Sequence, residues 1–167
     1  PAVKQADFDG YKEAGFTVIR IPITWGAYLS KDNKTPRVSL EKPYNINKQF
    51  LERIDNVINW SVDRGLVTII NAHHEKWLKG SDTFDDNKDR FYAIWEQLSK
   101  HYKDYSDLLV FEILNEPHHE NEKGEQDGLT QEQLDEVNKM VLAIIRKHNP
   151  TRKVIYSGCS WGGLYNL

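Results

Sequence analysis

The chain has 167 residues, 28% of them charged, and carries a formal net charge of -3. That length suffices for one domain with its own core. The lack of a basic run argues against a nucleic-acid or acidic-membrane partner, and no apolar run is long enough to span a membrane.

Ala2–Ala14 reads as a helix with Phe8 and Tyr11 on one face and Gly15 as its stop. Thr17–Ile23 (TVIRIPI) reads as a strand that Pro22 ends or weakens. A loop bearing Trp25, Tyr28, Pro36 and Pro43 leads to a second helix, Asn47–Arg64. Its apolar positions Phe50, Leu51, Ile54, Val57, Ile58 and Val62 keep helical spacing, and Gly65 follows as a C-terminal stop. Leu66–Ala72 is a buried-type strand running into His73, His74 and Glu75.

Asp82–Asp89 reads as polar loop. Asp89–Tyr102 reads as a helix with Phe91, Ile94, Trp95, Leu98 and Tyr102 inward. Leu108–Asn115 is a third strand, on which Glu112, Leu114 and Glu116 are expected to share a face. A charged loop, His118–Gly128, precedes a capping box of Thr130 and Gln133 that opens a helix to Lys147. Val154–Ser157 is the fourth strand, leading into SGCSWGG.

The alternation of helix and strand calls for a parallel sheet with right-handed crossovers. A closed (β/α)8 barrel takes about 250 residues, so four strands and four helices correspond to about half of a TIM barrel. Residues 1–167 are read as one partial barrel domain. A flavodoxin-like open sheet is the alternative, but no Gly-rich phosphate loop follows any strand.

Polar residues fall at successive strand ends: Arg20 and Trp25, then His73-His74-Glu75, then Asn115-Glu116, then Trp161. In a parallel sheet these share one rim, where β/α proteins carry their chemistry. The segments RIPITW, NAHHE, FEILNEP and SGCSWGG, in that order, resemble the strand ends of glycoside hydrolase family 5, the cellulase family of clan A, over essentially the whole chain. The resemblance implies a retaining (β/α)8 glycosidase, most often an endo-β-1,4-glucanase, with mannanase or xylanase as alternatives in the clan. It implies Glu116 as general acid/base, Asn115 as ligand of the sugar 2-hydroxyl, and Arg20 and His73 at the bottom of the catalytic subsite. It also implies a secreted or periplasmic location.

Retaining hydrolysis needs two carboxyl groups about 5–5.5 Å apart. The family's nucleophile stands on a later strand than this chain reaches, so it is expected to be missing here. Glu75 and Glu120 are the rim carboxylates with a position for a stand-in. A non-catalytic fragment, or a half-barrel that only binds glucan, is therefore the competing reading.

Glu112, buried on its strand, needs a partner, and Arg20 on a nearby strand is the expected one. Of His73 and His74, strand alternation sends one inward and the other into packing. Trp25, Trp161 and Trp77 offer flat faces for pyranose rings, whereas Trp60 and Trp95 belong to helix cores. His73, His74, His118 and His119 lack metal-motif spacing, so neither metal nor cofactor is expected. Cys159, the single cysteine, excludes an internal disulfide and is expected to be buried. The first residue is Pro1 rather than an initiator, which points to a processed or cut chain with no signal peptide to read. An open four-stranded sheet has two bare edges, and a homodimer or higher oligomer is expected to complete the barrel.

Overall fold

The computed structural model describes residues 3–29, 34–120 and 126–159. Helix α1 (Gln5–Glu13) precedes β1 (Val18–Ile21), α2 (Lys48–Val62), β2 (Val67–Asn71), the single turn α3 (Lys76–Lys79) and α4 (Phe84–His101). Strand β3 (Leu109–Glu112) is followed by a hairpin of β4 (His118–Glu120) and β5 (Gln126–Gly128), then α5 (Gln131–His148) and β6 (Val154–Ile155).

The helices begin and end where local chemistry directs them. The Asn47 side chain accepts the Phe50 N–H at 3.2 Å and opens α2. Thr130 and Gln133 form the expected capping box of α5, each accepting the other's backbone N–H. Gly15 and Gly65 take φ of 87° and 68° just past α1 and α2, left-handed values that fit glycine at a helix stop.

β1, β2, β3 and β6 lie side by side in that order, every pair parallel. One face carries Ile70 and Phe111 against the helices, where Ile58 of α2, Trp95 and Leu98 of α4 and Val141 of α5 complete a continuous core. The other face carries Val18 and Arg20, then Ile69 and Asn71, then Val110 and Glu112, then Ile155. Consecutive parallel strands joined by helices are one arc of a (β/α)8 barrel, and that second face is the arc's concave side.

Arg152 fastens the floor of the sheet. The residue is 4% exposed, and its guanidinium donates five hydrogen bonds of 2.8–3.0 Å, to the carbonyls of Tyr102, Tyr105, Ser106 and Leu109 and to Asn149 Oδ1. All five donors of the planar fork are engaged, so the buried charge is compensated at every N–H.

Several elements differ from the sequence reading; β1 and β6 are shorter, at Val18–Ile21 and Val154–Ile155. β3 stops at Glu112 rather than Asn115, so alternation does not carry to Leu114, which is in the core, or to Glu116, which is exposed. α4 starts at Phe84, inside the expected polar loop, because Phe84 itself is buried under the core. The expected loop at 118–128 holds the hairpin, whose polar strands show no hydrophobic alternation. α3 is a single turn, too short to leave a periodic signal.

Candidate active site

The strand exits stay laced together past the regular ladder. His73 N–H donates to the Ile23 carbonyl at 2.8 Å, and Asn115 N–H donates to the Ala72 carbonyl at 2.9 Å. These bonds bring the ends of β1, β2 and β3 to one rim.

At that rim Arg20 reaches across the concave face to Glu112. Its Nε donates to Oε2 at 2.7 Å and its Nη2 to Oε1 at 2.5 Å. The same Nη2 donates to Asn115 Oδ1 at 2.7 Å. The ion pair expected between Arg20 and Glu112 is present, and it is bidentate. Pairing with Glu112 raises the Arg20 pKa, with burial opposing and the Glu116 charge adding to the rise. Glu112 is thus occupied as an acceptor, while Arg20 orients Asn115, which is buried.

Asn71 extends the network. Its Nδ2 donates to Glu112 Oε1 at 3.3 Å and lies 3.1 Å from His73 Nδ1, and its Oδ1 accepts the Ile23 N–H at 3.3 Å. With Oδ1 held by that N–H, the amide donates toward His73 Nδ1, and a neutral His73 carries its proton on Nε2. Burial lowers the His73 pKa, helped by the positive charges of His74, Arg20 and Lys79 and opposed by Glu112.

Glu116 stands next to this network, exposed, with φ of 37°. A non-glycine residue in the left-handed region holds its side chain away from the extended path of β3. Glu116 and Glu75 both act electrostatically on Lys79, whose ammonium burial pushes down to about 8.

Several expectations are corrected. Trp25 is 1% exposed, edge-on to Phe50, and its Nε1–H donates to the Asn71 carbonyl. Its ring is part of the core and offers no face to a sugar. Trp77 is partly covered by Arg90, whose guanidinium lies 4.7 Å from the ring centroid, so it too is mainly packed. His73 and His74 do not part to opposite faces: β2 has ended at Asn71, and their rings meet edge-on at 4.4 Å, His73 half-buried and His74 exposed. Glu75 is fully buried with both carboxylate oxygens engaged by N–H donors, which removes it as a stand-in nucleophile. Cys159 is half-buried rather than buried. Trp161 and the side chain of Glu120 lie outside the described residues.

Asn71, Lys79 and the Glu75 contacts were missed. An Asn at the last position of an apolar strand, in IINA, was the available signal for the first. Among the described residues no group of three His, Cys, Asp or Glu side chains is placed to hold a metal, and no helix is long and apolar enough to cross a membrane.

The family model described as cellulase (glycosyl hydrolase family 5) matches residues 1–167. Endoglucanase H of Acetivibrio thermocellus is 44% identical over 160 residues, which cover 96% of this chain and 16% of that protein. Among solved structures, Thermotoga maritima Cel5A in complex with mannotriose superposes with a TM-score of 0.85 at 36% identity, covering 100% of this chain and 48% of that one. The Thermotoga maritima Cel5A structure in complex with cellobiose gives 0.83 at 37% identity, covering 98% and 47%. The chain therefore spans less than half the length of each of these proteins. With the family model spanning the whole chain and the solved structures sharing its fold at more than 30% identity, the chain belongs to glycosyl hydrolase family 5, the cellulase family.

Proposed function

We propose that this chain is the N-terminal half of a retaining endo-β-1,4-glucanase, with Glu116 as general acid/base. One observation carries the reading: Glu116 follows Asn115, whose amide is oriented by the Arg20–Glu112 pair at the C-terminal rim of the sheet. A fixed Asn115 would hydrogen-bond a sugar 2-hydroxyl, a contact that strengthens as the ring approaches an oxocarbenium ion. Neutral His73, with His74 beside it, would line the same subsite. Trp161 is proposed as a sugar platform on sequence grounds alone.

The acid/base must be protonated when it meets the glycosidic oxygen. Glu112 is held by Arg20 and Glu75 is sealed, so neither is free to attack the anomeric carbon. The nucleophile is assigned to the part that completes the barrel. Residues 1–167 form a single partial domain in this reading, acting outside the cytoplasm as a secreted or periplasmic protein.

The reaction is tested with carboxymethylcellulose and lichenan, comparing the wild type with Glu116→Gln. Hydrolysis lost in the variant supports the assignment, and hydrolysis that survives unchanged removes Glu116 from the chemistry. Cello-oligosaccharide binding without hydrolysis in either protein supports the glucan-binding half-barrel. Mannan is included because a related structure holds mannotriose.

Closure of the barrel by a second copy belongs to the same proposal. Val18 and Ile155, on the concave face of the two outer strands, are 45% and 42% exposed and would be covered by it. Light scattering that returns a monomer at micromolar concentration would remove that partner.

A further inference from the structure

We infer that Glu75 is a positioning residue, whose buried carboxylate pins the exit of β1 to the exit of β2 and so fixes the wall on which His73 and His74 stand. This rests on the reading of that wall as part of the glucan site.

The carboxylate is wholly buried and accepts three N–H donors. Oε1 takes the Trp25 backbone N–H at 2.6 Å, and Oε2 takes the Gly26 backbone N–H at 2.9 Å and the Trp77 indole N–H at 2.6 Å. Burying a carboxylate is unfavourable, and donors of this number and length are what offset it. Burial raises the Glu75 pKa, while these three donors and Lys79 oppose the rise.

The two backbone donors come from the turn where β1 has left its ladder, and their acceptor comes from the turn after β2. A two-oxygen acceptor there sets the distance and the angle between the exits together. The fit leaves no slack. A Cβ at Gly26 would lie 2.0 Å from Trp77 Nε1 and 3.1 Å from Glu75 Oε2, so the turn approaches as closely as a glycine backbone allows.

The same turn is tied to His73 directly. Lys79, four residues after Glu75, donates from Nζ to the His73 carbonyl at 2.8 Å, and its own N–H donates to the Glu75 carbonyl at 3.2 Å. Leu78 N–H donates to the same carbonyl at 3.0 Å. On the other side, Arg37 donates to the Thr24 carbonyl at 2.8 Å. A shift of the carboxylate is thus transmitted to the backbone on which the His73 ring is mounted.

The test uses NMR on the full chain, following the Trp77 indole proton and the titration of the His73 ring, with cellotetraose as the binding probe. Glu75→Gln keeps the shape but replaces one acceptor oxygen by an amide donor. The expected result is an upfield move of the indole proton, a displaced His73 signal and titration midpoint, and cellotetraose affinity lower by about tenfold. A folded Glu75→Gln protein with all three readings as in the wild type overturns the inference. If Glu75→Gln does not fold, Trp77→Phe decides, since it removes one donor and keeps both backbone bonds: a displaced His73 signal supports the role, and an unchanged one overturns it. If the wild type itself fails to bind cellotetraose, the glucan reading falls, and the His73 signals alone judge Glu75.

Discussion

The Arg20–Glu112 pair permits a quantitative prediction through a double-mutant cycle. Arg20→Met removes three charge-assisted bonds and leaves the Glu112 carboxylate with the 3.3 Å contact to Asn71. The Glu112 side chain is 11% exposed and that of Arg20 is 38% exposed, so the stranded carboxylate has little access to water whereas a stranded guanidinium has some. Removing one partner of a fully buried pair costs about 3–5 kcal/mol, and exposed pairs contribute about 0.2–1 kcal/mol. Arg20→Met therefore falls between, at about 2–3 kcal/mol, and Glu112→Leu at about 1–2 kcal/mol, since Arg20 keeps Asn115 and turns toward water. The Arg20→Met/Glu112→Leu double variant should cost less than the sum, with a coupling of about 2 kcal/mol. Urea unfolding at neutral pH followed by tryptophan fluorescence measures all four corners. A coupling below about 0.5 kcal/mol, the range of a solvent-exposed pair, or a larger loss for Glu112→Leu than for Arg20→Met, would refute the asymmetry argued from burial.

Glu116 occupies φ of 37°, so Glu116→Gly should be more stable than Glu116→Ala by about 1 kcal/mol, measured by thermal melting, although neither variant keeps a proton donor. Lys79 holds its proton less tightly folded, at about 8, than at its ordinary value of 10.5. Between those values the unfolded chain binds more protons, so this group makes stability rise with pH from about 8 toward 10.5, on the order of 3 kcal/mol. Denaturant midpoints across that window should climb in the wild type and lose this component in Lys79→Met. Arg152→Lys, offering three donors where five are used, should lower stability by about 3 kcal/mol in urea unfolding, and a loss under about 1 kcal/mol would contradict the bonding described.

The sheet was legible because LVTIINA and LLVFEIL are apolar runs bounded by glycine or polar turns, a pattern that parallel burial produces. The Arg20–Glu112 pair was legible for a different reason: a carboxylate in such a run has few ways to be tolerated, and a cation on a neighbouring strand is the most direct. Trp25 was misread because an indole at a strand exit suits a sugar face and a core equally well. Its partner, the Asn71 carbonyl, is 46 residues away and leaves no mark in the local pattern. The Glu75 contacts escaped for the same reason, since two of its three donors are backbone N–H groups that every residue but proline carries. His73 and His74 were assigned by strand alternation, although they stand two and three residues past the end of the strand.

Arg152 binds carbonyls before and at the start of β3, at the opposite end of the sheet from Glu116. Foundation and business end are therefore held by different bonds. Loops around the rim can lengthen, shorten or change their side chains without loosening the masonry beneath them, so variation at the top of this arc leaves the underside as it is.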